Sequence, residues 1–382
     1  MSYLSKLKAL WGMGYREGSR NKFGFRPSAA LNILKFMAQR PFNPVKLFYK
    51  PITLMIEVST VCNLKCPTCE REMFRKQGLI PKGQVGISNM ERLRPILPSV
   101  HSIYFVGGLG EPVLNPLFWE MNRIAKEYKI ITGYFSNAGL WDENIIRKTF
   151  EEGVNSVLVS VDSQDPHKYE EFKEGAKFNV TINNIKFLST IRKEYPNANF
   201  KFGLNYIQRA DNFEDMPDYI GFAKDLGADY CFFTGLIVHE EEHIKKSPYL
   251  IDPEKRKTIY EKVKEKARAC GMTIRLPEID VNQKLYEKTC TSAWRCLYIF
   301  ENGDACLCPF FRTSRDFYFH VEDNKVVQYK RHMNDTVIGN INSMDIRDIW
   351  NSEKARMVRK AIKSGINVPN PCDTCYYKYD LH

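Results

Sequence analysis

The chain has 382 residues, of which 43% are apolar and 13% aromatic, so there is material for one large domain or two with a buried core. No apolar run reaches the length that spans a bilayer, which excludes a membrane-spanning protein. No basic stretch followed by an apolar segment and a small-residue cleavage site is present at the start. We therefore expect a cytoplasmic protein.

The net charge of +11 is concentrated near the start of the chain. Residues 1–50 contain ten Lys and Arg and a single acid, Glu17, whereas the rest of the chain is nearly neutral. Apolar residues at helical spacing accompany this charge, first Leu4, Leu7, Leu10 and Trp11, then Leu31, Leu34, Phe36 and Met37 after Ser28, a predicted N-cap. We predict a basic amphipathic N-terminal extension over residues 1–50.

Such an extension is suited to an anionic surface. A membrane leaflet that the protein contacts peripherally, a phosphorylated or lipid-linked substrate and an acidic protein partner would each be attracted to it. The alternative is that these helices bury their apolar faces against the domain and expose only their lysines. Nucleic acid is not expected, because the sequence carries no recognisable binding motif for it.

From residue 51, apolar stretches typical of strands alternate with helical patterns. Strands are predicted at 53–60, 101–107, 130–136, 156–162, 200–207 and 229–238. Helices are predicted near 88–97, 116–128, 141–152, 179–195 and 213–227. Alternation of this kind produces a parallel sheet, whose functional groups lie at the carboxyl ends of the strands. Six such β/α units are predicted.

Three cysteines, Cys62, Cys66 and Cys69, follow the first predicted strand in the stretch CNLKCPTC. Soft thiolates select zinc, copper(I) or iron–sulfur clusters. A closed structural zinc site needs four protein ligands, and only three are at hand. A [4Fe–4S] cluster held by three thiolates instead leaves one iron free for a ligand that is not protein. The chain has eleven cysteines, most in CxxxCxxC and CxxC spacings, which favours metal binding over disulfides.

CNLKCPTC resembles the CxxxCxxC signature of the radical S-adenosylmethionine (radical SAM) enzymes. In that family the signature lies after the first strand of a partial (β/α)6 TIM-like barrel, so the resemblance implies this α/β fold for a core at residues 51–245. It also implies that the open iron binds the methionyl amine and carboxylate of SAM, which an electron from the cluster cleaves to a 5′-deoxyadenosyl radical. Thr68 departs from the family, where many members have an aromatic residue, but this position supplies no ligand.

Three further stretches at predicted strand ends resemble motifs of the same family. GGLGEP at 107–112 is similar to the GGE-type motif, whose backbone holds the SAM amine, SNAG at 136–139 to the TNG segment, and SVDS at 160–163 to the SxDG segment. Asn205 is expected to end the fifth strand and to have an orientation similar to that of Ser160 and Asp162. The cofactor-binding residues implied by the resemblance are Gly107, Gly108, Gly110, Glu111, Asn137, Ser160, Asp162 and Asn205. A glycine-rich turn alone is weak evidence, and the ordered set carries the inference.

A second group of cysteines follows the barrel, at Cys290, Cys296, Cys306, Cys308, Cys372 and Cys375. A predicted hairpin at Asn302-Gly303, a cysteine five residues after that glycine, the GNI…IW stretch within 338–350 and a closing CDTC resemble the extension called SPASM, or its shorter form, twitch. We therefore expect a linker helix and a small iron–sulfur domain over residues 246–382.

The SPASM resemblance implies one auxiliary [4Fe–4S] cluster, and its ligands are Cys290, Cys308, Cys372 and Cys375. Cys296 is a rival ligand and Cys306 is less suited. A zinc ribbon built on the same CxxC is the alternative, because four thiolates suit either metal. The remaining thiols, Cys231 and Cys270, are interpreted as core residues.

The stretch HEEEH, from His239 to His243, matches the letters of the HExxH zinc-protease motif. It directly follows the sixth predicted strand rather than lying within a helix, and its glutamates are typical of a solvated loop. We do not expect catalysis there, although His239 is placed at the barrel rim and could contact substrate.

The family resemblance implies a radical SAM oxidoreductase. Its radical would abstract a hydrogen from a small polar, glycan or lipid-linked substrate, and an auxiliary cluster with four protein ligands would accept an electron in an oxidation or epimerisation. The expected electron donor is an acidic flavodoxin or ferredoxin. The base is open: Tyr298, Glu301, Asp304 and Arg312 lie near the predicted hairpin, and each is expected at the surface.

Three alternatives remain. A peptide-modifying maturase of the same family usually needs a leader-binding domain, for which residues 1–50 look too short. A radical SAM enzyme acting on tRNA is disfavoured by the nearly neutral body of the chain. A zinc-stabilised binding protein belongs to another class, and it gives no reason for the GGLGEP, SNAG and SVDS segments.

Overall fold

The computed structural model describes residues 26–76, 78, 83–238, 240–277, 291–309, 317–322, 325–330 and 336–368. Its strands are β1 Thr53–Glu57, β2 Ser102–Val106, β3 Ile131–Ser136, β4 Ser156–Ser160, β5 Lys201–Gln208, β6 Tyr230–Gly235, β7 Thr273–Arg275, β8 Cys296–Ile299, β9 Asp304–Cys306, β10 Phe317–Glu322, β11 Lys325–Lys330 and β12 Val337–Asn340. Its α-helices are α1 Pro27–Gln39, α2 Glu70–Lys76, α3 Ile87–Leu93, α4 Phe118–Glu127, α5 Glu143–Glu151, α6 Pro166–Phe172, α7 Phe178–Ile191, α8 Met216–Asp225, α9 Pro253–Cys270, α10 Ser292–Arg295, α11 Ile346–Ile349 and α12 Glu353–Ser364.

The six predicted β/α units are confirmed. Strands β1 to β6 pair in parallel in chain order, with Thr53 opposite Ser102 at the start of the first pair. Both faces of β1 and β2 are largely buried. This is typical of a barrel sheet whose outer face is covered by helices and whose inner face is covered by side chains that fill the barrel. The predicted helices agree with α3, α4, α5, α7 and α8 to within a few residues. This is the partial (β/α)6 barrel that the sequence implied.

Two strands extend the parallel sheet at its edges, and the sequence analysis predicted neither β7 nor the pairing of β8 with β1. β7 pairs in parallel with β6, and β8 pairs in parallel with β1, with Cys296 opposite Thr53. The hairpin predicted at Asn302-Gly303 is confirmed as β8 and β9, and β12 adds to β9 in antiparallel fashion. A single ten-stranded sheet therefore runs across the predicted domain boundary at residue 245 and joins the barrel to the auxiliary region.

Helix α1 differs from its prediction in its start and in its buried face. It begins at Pro27, with Arg26 rather than Ser28 at the N-cap, and it buries Ala29, Asn32 and Phe36. The Asn32 side chain accepts a hydrogen bond from the Lys50 backbone N–H at 2.8 Å and donates to the Lys50 carbonyl at 3.0 Å. This pairing turns the Asn32 face inward, so Leu31 and Leu34 lie on the exposed face. The predicted apolar residues 4–11 lie outside the described residues.

The segment after α1 is fastened to the auxiliary region. The Tyr49 hydroxyl donates to the Trp294 carbonyl at 2.8 Å, and the Trp350 indole N–H donates to the Tyr49 carbonyl at 2.9 Å. The Trp294 indole N–H donates to the Pro44 carbonyl at 2.9 Å. Residues 44–49 are therefore part of the packing between β1 and the C-terminal helices. The domain boundaries at 50 and 245 stay predictions.

The predicted linker helix corresponds to α9. The Asp252 side chain accepts from the Lys255 N–H at 3.0 Å and caps its first turn, and Gly271 ends it in the left-handed conformation. Within the part of the chain that the structure describes, no helix combines the length and apolar character needed to cross a membrane.

Candidate active site

The three cysteines of CNLKCPTC lie in the loop between β1 and α2, at the carboxyl edge of the sheet. Backbone hydrogen bonds fix this loop to two neighbours, since Glu111 N–H donates to the Val61 carbonyl at 2.8 Å and Lys65 N–H to the Glu174 carbonyl at 2.9 Å. Cys69 N–H donates to the Cys66 carbonyl at 3.0 Å and leads into α2. The three thiols are half-buried in this rigid turn.

The surroundings of these thiols disfavour a free thiolate. Burial raises the pKa of the Cys62 and Cys66 thiols and, together with the two neighbouring thiols, raises the pKa of Cys69 to about 12. Iron bound to the sulfurs would reverse this effect, because coordination favours the thiolate. The Leu64 N–H already points at the Cys62 sulfur at 3.4 Å.

The spacing of the thiols also argues against a single ion. Among the described residues, the only set of three or more His, Cys, Asp or Glu side chains whose ligand atoms all lie within 4.8 Å of one another is Glu240, Glu242 and His243. At least one pair of the three sulfurs is therefore more than 4.8 Å apart, which is wider than two thiolates on one tetrahedral zinc ion. A cubane cluster suits this arrangement because each thiolate binds a different iron.

The GGLGEP turn lies in direct contact with the cysteine loop. A side chain at Gly110 would place its Cβ 2.3 Å from the Ser59 carbonyl oxygen, and one at Gly108, where φ is +56°, would overlap the Glu57 carboxylate. That carboxylate accepts from the Leu109 N–H at 2.9 Å. At Gly110 only glycine allows this approach of two backbones, whereas cofactor binding by Gly107, Gly108 and Gly110 stays a prediction.

Gly110→Ala is therefore expected to push the two loops apart and to abolish detectable SAM binding by the reconstituted protein. Gly221→Ala serves as the matched control. Gly221 lies within helix α8, and a Cβ added there would meet nothing nearer than the Lys266 side chain at 4.0 Å. Calorimetric titration with SAM, after iron has been measured, checks both variants. Equal SAM affinity of the two variants would contradict a tight loop contact at Gly110.

Glu111 ties the GGLGEP turn to the SNAG segment. Its carboxylate accepts from the Ser136 hydroxyl at 2.7 Å and from the Asn137 N–H at 2.9 Å. Burial raises the pKa of Glu111 to about 7, although these hydrogen bonds act in the opposite direction. The Asn137 amide in turn donates to the Asn63 side chain at 2.9 Å, next to Cys62. The Glu111 side chain thus positions the loops around the cysteines.

The SVDS segment carries a buried ion pair that the sequence analysis missed. Lys173, in the turn after α6, has its ammonium 2.9 Å from the Asp162 carboxylate and 2.9 Å from the Ser160 hydroxyl. Burial alone would lower the pKa of Lys173, but the charges of Asp162 and Cys66 outweigh it and the pKa is raised, so the ammonium stays charged. No sequence signal distinguishes Lys173 from the exposed lysines around it.

Asn205 does not end its strand as predicted, because β5 continues to Gln208. It lies opposite Ser160, the last residue of β4, and its side chain is within 3.5 Å of the Thr234 hydroxyl. Asn205 is therefore level with the SVDS segment even though its own strand extends further. Its role, like that of the other implied cofactor-binding residues, stays a prediction.

Three of the predicted auxiliary ligands, Cys290, Cys372 and Cys375, lie outside the described residues. Cys296 is buried at the start of β8, Cys306 is buried at the end of β9, and Cys308 is half-buried just beyond it. Because β9 ends at Cys306, the alternation of strand faces does not fix the direction of Cys308. Cys231 is buried as predicted, whereas Cys270 is half-buried.

The residues considered as bases are less exposed than expected. Tyr298 is buried in β8, and burial together with the charges of Glu301 and Glu70 raises its pKa, so it stays protonated. Asp304 is half-buried and accepts from the Asn340 amide at 2.8 Å within the hairpin. Glu301 is half-buried too, and Arg312 lies outside the described residues. The prediction of surface positions is wrong for Tyr298, because β8 lies inside the sheet.

Glu301 lies on the same edge as the cysteine loop. Since β8 runs parallel to β1, the residue that follows β8 emerges where the loop after β1 does. The side chain of Glu301 reaches Gly83, where an added Cβ would lie 3.3 Å from its Cγ. Burial raises the pKa of Glu301 above its usual range.

The HEEEH stretch is only partly the solvated loop that we predicted. Residues Glu241–Lys246 form a 3₁₀ helix and His243 is buried. The Lys76 ammonium lies 3.2 Å from Glu240 and 3.4 Å from Glu242, so a cation of the protein already neutralises these carboxylates. His239 lies outside the described residues.

The partial (β/α)6 barrel, with the cysteine loop at its carboxyl edge, agrees with the fold that the sequence implied. Residues 290–376 match the SPASM family, described as an iron-sulfur cluster-binding domain. A Pyrococcus furiosus tungsten-containing aldehyde ferredoxin oxidoreductase cofactor-modifying protein is 24% identical over 319 residues, 81% of this chain and 84% of that protein. The AdoMet-dependent heme synthase of Methanosarcina barkeri is 22% identical over 86% of this chain and 89% of its own.

Among solved structures, SuiB of Streptococcus suis bound to S-adenosylmethionine is similar, with a TM-score of 0.62, 17% identity and coverage of 98% of this chain and 80% of that one. SuiB bound to precursor peptide SuiA gives the same TM-score at 18% identity, covering 98% and 82%. Residues 290–376 therefore belong to the SPASM family, and the chain as a whole is similar to radical SAM enzymes that carry this domain. Its cofactors are accordingly SAM, a [4Fe–4S] cluster and auxiliary iron–sulfur, rather than the zinc of the alternative interpretation.

Proposed function

We propose that this radical SAM enzyme is an oxidoreductase that abstracts a hydrogen from a small polar or glycan substrate, free or linked to a lipid. In an oxidation, one auxiliary [4Fe–4S] cluster would accept the electron of the substrate radical as a proton is lost. In an epimerisation, the radical would instead regain a hydrogen atom on its opposite face. The observation that supports this is the placement of β8, which puts the auxiliary region beside β1 in the sheet of the barrel. The hydroxyl of Tyr298 is influenced electrostatically by Glu70, next to Cys69, and by Cys308.

The cluster and SAM, when bound, supply a 5′-deoxyadenosyl radical for the hydrogen abstraction. Cys62, Cys66 and Cys69 would hold the cluster in the loop that the GGLGEP turn supports. Lys173 offers a permanently charged ammonium beside Cys66, suited to the carboxylate of SAM. Two N–H groups of that ammonium point to the Asp162 carboxylate and the Ser160 hydroxyl, which leaves the third for a ligand.

The proton released during an oxidation needs an acceptor at the same edge of the sheet. Glu301 is a described residue that fits, because burial raises its pKa and β8 places it on the cysteine-loop side. By contrast, both carboxylate oxygens of the buried Glu111 already accept hydrogen bonds from Ser136 and Asn137. Tyr298 is unsuited, because its raised pKa keeps the hydroxyl protonated. We therefore assign the role of base to Glu301 within this proposal.

A peptide substrate is the second candidate. SuiB, whose fold this chain shares, has been solved bound to a precursor peptide. The Pyrococcus furiosus relative is named as a cofactor-modifying protein, which favours a small polar molecule instead. We further propose a cytoplasmic location, where a flavodoxin or ferredoxin would supply the electron for SAM cleavage.

The test is an anaerobic assay with SAM and dithionite against panels of cyclitols, sugars, lipid-linked glycans and peptides. We expect one of the first three panels to stimulate 5′-deoxyadenosine formation and to yield a product lighter by two hydrogens, or an epimer carrying solvent deuterium. Glu301→Gln is expected to form 5′-deoxyadenosine but about 100-fold less oxidised product, because only the proton step is lost.

Asp304→Asn is the matched control, since Asp304 serves the hairpin. Stimulation by peptides alone would replace the proposal with the peptide-modifying alternative. Oxidised product at the wild-type rate from Glu301→Gln would contradict the assignment of the base.

A further inference from the structure

The N-terminal segment presents an unusual surface. Residues 26–50 contain five basic residues and no Asp or Glu. Four of their large apolar side chains are exposed: Phe42 by 73%, Phe48 by 70%, Leu34 by 61% and Leu31 by 53%. Two helical residues, Leu31 and Leu34, thus point away from the core that Phe36 of the same helix enters.

Helix α12 continues this surface. The Lys363 ammonium donates to the Phe42 carbonyl at 3.1 Å, and the Asn351 amide just before the helix donates to the Leu47 carbonyl at 2.8 Å. α12 buries one face and exposes the other, on which Met357 is 62% exposed. The exposed basic residues of this face are Lys354, Arg356, Lys360 and Lys363.

A cleft of about 390 Å³ lies between α1 and the segment at 47–50. Its wall includes Lys35, Lys50 and Ser28, which offer positive charge and a hydroxyl, and also Leu31 and Phe48. Cationic groups and exposed apolar side chains therefore alternate across one connected surface. Exposed apolar patches of this kind mark interaction sites, and the charge selects an anionic partner.

We propose that α1, residues 40–50 and α12 form a docking surface for a bilayer that contains anionic phospholipids. Phe42, Phe48, Leu31 and Leu34 would enter the interfacial region while the lysines contact the headgroup phosphates. Such a surface supports a peripheral contact between the protein and the bilayer, in which no segment crosses the membrane. The inference deepens the location given under the proposed function and does not depend on the reaction.

This docking also fixes the orientation of the enzyme. Phe48 precedes β1 by five residues and so lies at the amino end of the strand, whereas the cysteine loop follows its carboxyl end. The bilayer would contact the side of the barrel opposite the candidate active site. Of the substrates proposed above, membrane docking therefore favours one that arrives from water over one that is embedded in the same bilayer.

The experiment is sedimentation of the reconstituted full-length protein with vesicles of phosphatidylcholine, with or without phosphatidylglycerol. We expect binding that requires phosphatidylglycerol and weakens with salt. Phe42→Ser/Phe48→Ser is expected to bind the anionic vesicles about tenfold less tightly. Val180→Ser/Leu250→Ser, which changes exposed apolar residues elsewhere, is the matched control and should bind like wild type.

The same variants are assayed for iron and for 5′-deoxyadenosine formation without vesicles, so that failure of docking is distinguished from failure of the enzyme. If the phenylalanine variant does not fold, Lys35→Gln/Lys363→Gln gives the corresponding test of the charge. Wild-type protein that ignores anionic vesicles, or variants that bind them unchanged, would overturn the proposal. If the variants bind vesicles like the wild type but bind an acidic flavodoxin more weakly, the surface would be assigned to the electron donor and the bilayer proposal overturned.

Discussion

Replacing Cys62, Cys66 and Cys69 together with Ala is expected to lower the iron content from about eight to about four atoms per chain after anaerobic reconstitution. The three thiols belong to one loop at the carboxyl edge of β1. Their charges interact, because Cys66 raises the pKa of Cys62, and both raise the pKa of Cys69. They therefore act as one ligand set. SAM cleavage should fall below detection, because no open iron remains to bind SAM.

Iron and acid-labile sulfide are measured on the wild type, the triple variant and Cys270→Ser. Cys270 is the last residue of α9 and half-buried, so its replacement tests the loss of a thiol outside the loop. We expect Cys270→Ser to retain the wild-type iron content. Zinc without sulfide in the wild type, or unchanged iron in the triple variant, would disprove the assignment of the loop.

Lys173→Met is expected to lower the free energy of unfolding by about 3–5 kcal/mol, because it leaves the Asp162 carboxylate buried without its cation. Both side chains are almost fully buried, at 7% and 5% exposure. Lys173→Met/Asp162→Asn should recover most of this stability, since the unpaired charge is then removed. If Lys173 also contacts the SAM carboxylate, the double variant will fold and still bind SAM weakly.

Urea unfolding of the cluster-free protein measures the first effect, and calorimetric titration of the reconstituted protein with SAM measures the second. Lys168→Met is the matched control, because Lys168 forms an ion pair with Asp215 at 2.6 Å but is 39% exposed. An exposed pair contributes at most about 1 kcal/mol. Equal losses of stability in Lys168→Met and Lys173→Met would contradict a special role for the buried pair.

Elements with a strong local pattern could be predicted from the sequence. β1 to β6 were found from their apolar residues at strand-like spacing, and α5 begins where Asp142 caps the Ile145 N–H at 2.8 Å. The hairpin of β8 and β9 at Asn302-Gly303 followed from turn chemistry, and φ of +87° at Gly303 accounts for the glycine. β7 was missed because three residues are too few to show a period. The pairing of β8 with β1 was missed because it joins segments distant in the chain.

The candidate site also contains residues that the sequence could predict and residues that it could not. The cysteine spacing predicts three ligands because the chemistry of the thiolates is local to one loop. Lys173 and Glu301 could not be identified, because their burial depends on which strands become neighbours. For Leu31 and Leu34 the sequence left open whether the apolar face is exposed to an anionic surface or buried, because helical periodicity does not say which face is covered. The Asn32 amide, paired with the Lys50 backbone, decided that.

The sequence alone therefore determined the family, the parallel β/α core and the first set of thiols, since each depends on contacts between residues near in the chain. The tertiary structure decided that β8 lies beside β1, that Glu301 faces the cysteine loop, and that Lys173 is enclosed with Asp162. These are contacts between distant segments, and they are set by packing of the whole core. Burial raises the pKa of Glu301 and by itself would lower that of Lys173, and it exists only once that packing has formed.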